Sequence, residues 1–145
     1  MPALPWKMLQ PVDSDRQYVA MASYLPLRAH RSVPGFLLDT VRIRSQLAYT
    51  PGLIGYALNA ELNRKTFWTI SVWVDEACLS EFAAADPHHR LTRRLQPKMD
   101  RSRFEFFPIR GRELPLAWDE VRRRLAAGRQ RHTAQRHRPA FRALG

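Results

Sequence analysis

The chain has 145 residues, 45% hydrophobic and 26% charged, which suits one domain with a buried core and includes no apolar run long enough to cross a bilayer. Its formal net charge of +11 is uneven: no acid follows Glu120, and Arg122, Arg123, Arg124, Arg129, Arg131, Arg136, Arg138 and Arg142 carry the excess. The single cysteine, Cys78, excludes an internal disulfide and a cysteine-rich zinc site; the N-terminus lacks a secretory signal pattern, so a cytoplasmic location and no membrane partner are expected.

Residues 1–17, with Pro2, Pro5 and Pro11, predict an extended lead-in. YVAMASYL (18–25) is apolar and β-prone, so it predicts a strand. Ser32 as N-cap and Pro34 in the first turn start a helix, with Leu37, Val41 and Ala48 as its stripe and Phe36, Ile43 and Leu47 beside it. That helix should stop before Pro51–Gly52. Leu53–Leu62 and Thr66–Val74 predict two strands joined as a hairpin through Asn63–Arg64–Lys65. Asp75 caps a second helix with Leu79, Phe82 and Ala83 inward, and Asp86–Pro87 restarts a helical turn to about Leu95. Arg103–Ile109 is the last strand. Pro115 opens a final helix whose Trp118, Val121 and Leu125 share a face and which Gly128 should end. The order β-α-β-β-α-β plus a helix predicts an α+β, ferredoxin-like domain over 18–128, with an arginine-rich tail at 129–145.

The strand TFWTISVW presents two unlike faces. Trp68, Ile70, Val72 and Val74 point one way and suit a helix-covered side; Phe67, Thr69, Ser71 and Trp73 point the other. Two helices cover only one face of four strands, so the Phe67–Trp73 face should need another cover. Stacked nucleic-acid bases are one cover, but the RNA-recognition strand pattern breaks here at Thr66, Trp68 and Thr69. A second copy of the chain is the expected cover, making a homodimer. The arginine-rich tail reads as a solvated extension ahead of a nucleic-acid contact.

The run Thr69–Ile70–Ser71–Val72–Trp73–Val74–Asp75–Glu76–Ala77–Cys78–Leu79–Ser80–Glu81–Phe82 with His88, and Pro51–Gly52–Leu53–Ile54–Gly55–Tyr56, resembles the antibiotic-biosynthesis-monooxygenase-like dimeric α/β barrels over about residues 18–110. Ser71, Trp73, Leu79, Phe82 and His88, with Gly111–Arg112–Glu113–Leu114–Pro115 and Arg138–Pro139–Ala140–Phe141, look like an uncharacterised bacterial branch of that superfamily. The resemblance implies two sheets facing each other in a homodimer, with one cavity per subunit. Such proteins include cofactor-free monooxygenases of aromatic polyketides, haem-degrading oxygenases and proteins of no known activity.

On that reading the substrate is a hydrophobic aromatic, His88 is the catalytic base, and Phe67 and Trp73 form the cavity wall. Thr69, Ser71, Tyr56, Asn59 and Arg42 supply polar contacts. The plainer alternatives are that His88 only satisfies backbone beside Asp86–Pro87 and that Trp73 is packing. In haem-degrading members the resemblance implies an Asn on the first strand, a Trp on the second helix and a His beyond. Ser23 and Phe82 stand at the first two positions, so only His88 remains; no cofactor is expected, and haem bound through His88 is the less favoured alternative. His30, His132 and His137 offer no metal-binding spacing. A non-catalytic ligand-binding or structural homodimer is the alternative function.

Overall fold

Alternation along the central strands decides the architecture. The computed structural model describes residues 3–137, with side chains for 5–128. The strands are β1 (Ala3–Met8), β2 (Gln17–Pro26), β3 (Leu53–Glu61), β4 (Thr66–Trp73) and β5 (Arg103–Arg110). The helices are α1 (Val33–Leu47), α2 (Glu76–Ala84), α3 (His88–Leu95) and α4 (Trp118–His137). The sheet is antiparallel throughout in the order β1-β3-β4-β2-β5. The α+β, ferredoxin-like expectation therefore holds, with one strand more than expected. That strand lies in the predicted lead-in: β1 adds to the edge of β3, with Lys7 opposite Tyr56.

The two sheet faces are used in the opposite sense to the sequence expectation. Phe67 and Trp73, expected on a face left open, are 0% exposed under the chain's own α1, α2 and α3. Phe67 packs with Phe36 of α1 and Leu95 of α3 at one end; Trp73 packs with Leu79 and Phe82 of α2 at the other. The opposite face, with Tyr18, Ala20, Ile70, Val72 and Ile109, is covered by Val121 and Leu125 of α4. Both faces of β4 carry large apolar side chains, so both need cover, and the fourth helix, α4, supplies the second. The need for another copy to hide Phe67 and Trp73 accordingly disappears.

Local chemistry sets the element ends. Asp75 caps α2 as expected, its Oδ1 accepting from the Cys78 N–H at 2.9 Å. That bond holds the Asp75 carboxyl below the usual carboxylate range. Gly52 carries φ +81° in the turn before β3, and a Cβ there would strike the Cys78 side chain. Ser32 precedes α1 but makes no side-chain cap; a 3-10 turn over His30–Ser32 leads in instead.

Two helices differ from their predicted stripes. The buried side of α1 is Phe36 and Asp39, with Ile43 and Leu47 half-buried, while Leu37 and Val41 are exposed. Asp39 makes this rotation possible because Arg94 and Arg42 satisfy its carboxylate at 2.6 and 3.4 Å. Gly128 does not end α4. It is buried inside the helix, where a Cβ would run into the Glu105 side chain of β5, so its small size serves close helix–sheet approach. The tail predicted from residue 129 continues as helix to His137; the Arg138–Pro139–Ala140–Phe141 match lies outside the described residues.

Candidate functional site

Of the seven expected substrate contacts, six lie on the sheet and five of these share one face. Register places Tyr56 opposite Ser71 and pairs Leu53 with Trp73, so Tyr56, Phe67, Thr69, Ser71 and Trp73 all point toward α1, α2 and α3. Asn59 is opposite Trp68 and faces the other way, under α4. The structure separates it from the rest.

The hydroxyls form an internal polar strip between two apolar clusters. Ser23 of β2 and Thr69 of β4 share a hydrogen bond between their side chains across paired strands. One step along, the Trp73 indole N–H donates to Ser71 Oγ at 2.9 Å. Both serines are buried. The Trp73 ring thus enters the core with its polar edge satisfied, at the cost of the Ser71 hydroxyl's acceptor.

Aromatic contacts carry this cluster outward. Trp73 lies 5.2 Å from Phe82, and Phe82 lies 4.6 Å from the His88 ring. His88 opens α3, its backbone N–H donating to Gln46 Oε1 at 3.1 Å and its Nδ1 3.4 Å from the Ala83 carbonyl oxygen. The ring is half-buried, and burial pushes its pKa below 6.5 against the smaller opposing pull of the Ala83 carbonyl. Neutral imidazole donating Nδ1–H to that carbonyl leaves Nε2 as an acceptor, and among the described residues none bonds it. His88 is therefore chemically able to receive a proton near neutral pH.

Asp39 is the buried charge that sequence reading passes over. It stands on α1 between Phe36, which packs at the Phe67 end, and Ile43, which packs at the Trp73 end. Its signal was present in the sequence: it is the only acid in α1, three residues after one inward ring and four before an inward isoleucine. Arg94 of α3 and Arg42 of α1 hold it, so Arg42 is engaged in this clamp rather than presented to a ligand.

Two open pockets adjoin the sheet. One, of about 300 Å³, is lined by Gln17, Pro108, Ile109, Arg110, Arg112 and Glu113. The other, of about 230 Å³, is lined by Pro5, Trp6, Lys7, Arg44 and Tyr56. Of the expected site residues, only Tyr56 borders either pocket; neither reaches His88, Trp73 or Phe67. Among the described residues no three histidine, cysteine, aspartate or glutamate side chains gather to hold a metal, and no helix is long and apolar enough to cross a membrane.

No protein-family model matches the chain, and no curated protein matches its sequence. Solved structures do. SnoaB of Streptomyces nogalater, a cofactor-independent oxygenase, superposes with TM-score 0.54 at 19% identity, over 69% of this chain and 99% of that one. The chain has the antibiotic-biosynthesis-monooxygenase fold. A protein described by that name superposes with TM-score 0.56 at 14% identity, covering 61% of this chain and 95% of its own. Protein SO0527 of Shewanella oneidensis gives 0.55 at 18%, covering 72% and 96%. In each case this monooxygenase-type fold occupies nearly the whole neighbour, and the present chain carries additional residues beyond it.

Proposed function

We propose that the chain is a small-molecule-binding oxygenase that acts on a hydrophobic, ring-hydroxylated aromatic without a bound cofactor. His88 takes the phenolic proton at Nε2, and the electron-rich phenolate reacts with molecular oxygen, one oxygen atom entering the ring as a carbonyl and the other leaving as water, so that the substrate is itself the reductant. Phe82 and Trp73 provide the aromatic wall behind the imidazole. The observation that carries this reading is the run of tilted ring contacts from His88 through Phe82 to Trp73, in which burial keeps the imidazole neutral near pH 7. The likeness to SnoaB, itself a cofactor-independent oxygenase, supports it. Oxygen consumption with an alkylated hydroquinone tests it: uptake is expected from the native chain and loss of about 100-fold or more from His88→Ala, within the usual contribution of a general base. Equal uptake by both proteins would overturn the assignment.

A non-catalytic ligand-binding or structural role is favoured by a different observation: Phe67 and Trp73 are fully packed, and neither pocket reaches them. Saturable ligand binding without oxygen uptake would select this second reading.

A further inference from the structure

The pocket between β1, β3 and α1 is built from groups that recognise an anion. Lys7 and Tyr56 are opposite each other in the β1–β3 pair, so their side chains leave the same sheet face; Arg44 comes from the last turn of α1. Tyr56 is only 8% exposed, yet its hydroxyl makes no hydrogen bond among the described residues while it borders the pocket. A phenol so placed is free to donate its O–H to a group bound in the pocket.

Charge on the surrounding elements has the same sense. β1 contains no acid. The one acid of β3, Glu61, pairs with Arg122 and Arg64, and the one acid of α1, Asp39, is taken by Arg94 and Arg42. Lys7 and Arg44 thus have no ion-pair partner among the described residues. Pro5 adds apolar wall to the two cations and the hydroxyl, while the Trp6 ring packs into the cluster under α4 on the other face. A volume of about 230 Å³ accommodates one ring better than several fused ones.

We infer that this pocket binds a single-ring aromatic carboxylate. The planar Arg44 guanidinium pairs with the carboxylate oxygens, Lys7 adds a point charge, the Tyr56 O–H donates to the same group, and the ring lies against Pro5. The inference concerns binding alone and stands whether or not His88 catalyses an oxidation.

Calorimetric titration of the full chain with benzoate, benzamide and acetate tests it without any turnover. Saturable one-to-one binding of benzoate is expected, with benzamide and acetate each about tenfold weaker or more, since one loses the charge and the other the ring. Arg44→Gln, at an exposed position, should weaken benzoate by about tenfold or more. Tyr56→Phe keeps the ring in the core and should weaken benzoate several-fold while leaving the far-UV spectrum unchanged. Benzoate that fails to saturate, acetate binding as tightly as benzoate, or undiminished affinity in both variants would each overturn the inference.

Discussion

At the level of single residues, His88 shows how position and burial set chemistry. Its ring lies against Phe82, its Nδ1 is directed to the Ala83 carbonyl, and burial disfavours the imidazolium. Depression of a histidine's folded-state pKa means that the unfolded chain binds more protons over the interval between the two values. The stability from this group is complete above pH 6.5 and is lost as pH falls through the lowered folded value. An NMR titration of the His88 ring should therefore show a midpoint below 6.5, with Phe82→Ala moving it back toward the ordinary value as water reaches the ring. A native midpoint at or above 6.5 would place the imidazole in solvent and remove its claim to be a neutral base. Helical spacing alone puts His88 on the face of α3 that buries Leu91 and Leu95; the Gln46 and Ala83 contacts join residues that no local pattern relates. Tyr56 and Asn59 are three residues apart in an unbroken part of β3, so plain alternation puts them on opposite faces, and the sequence pattern alone carries that separation.

Elements were legible where local preference and tertiary demand agreed. Asp75 before an apolar run, and alternation from Thr66 to Trp73, needed nothing from elsewhere in the chain. β1 did not fit that rule: ALPWKM is short and holds a proline, and only the available edge of β3 makes it a strand. Gly55 shows how tightly it is docked. A Cβ there would collide with the Trp6 ring and sit 2.8 Å from the Lys7 carbonyl oxygen, which belongs to backbone and cannot swing aside. Gly55→Ala is thus expected to cost about 1–3 kcal/mol, as overpacking does, and to loosen β1 before the rest of the sheet. Hydrogen exchange is the measurement: amides of residues 3–8 should lose protection while those of the β2–β4 pair retain it. Equal loss across the sheet would mean that β1 is not a separable edge. α4 misled in the other direction, since a glycine usually marks a helix end, whereas Gly128 continues the helix and admits Glu105.

For the whole molecule, the question is what remains for a second copy to cover. Homodimerisation followed in the sequence reading from an open Phe67–Trp73 face, and that face is filled by α1, α2 and α3. The reverse face is occupied by α4, so two sheets could meet there only after the helix had left. Large apolar groups still lie open at the sheet margin: Phe104 and Phe106 alternate along β5, 51% and 58% exposed, beside the edge at which the strand order ends. Among the described residues no strand pairs with the outer side of β5, and a terminal strand that carries two exposed phenyl rings combines a sheet edge with apolar area, the two features through which strands associate. We propose that the homodimer forms by β5 meeting β5 of a second copy, with each copy's own α4 left in place. Light scattering should then give twice the chain mass for the native protein and a single-chain mass for Phe104→Ser/Phe106→Ser, with its far-UV spectrum unchanged because both rings lie outside the core clusters. A dimer that survives the double substitution would overturn the edge-strand arrangement.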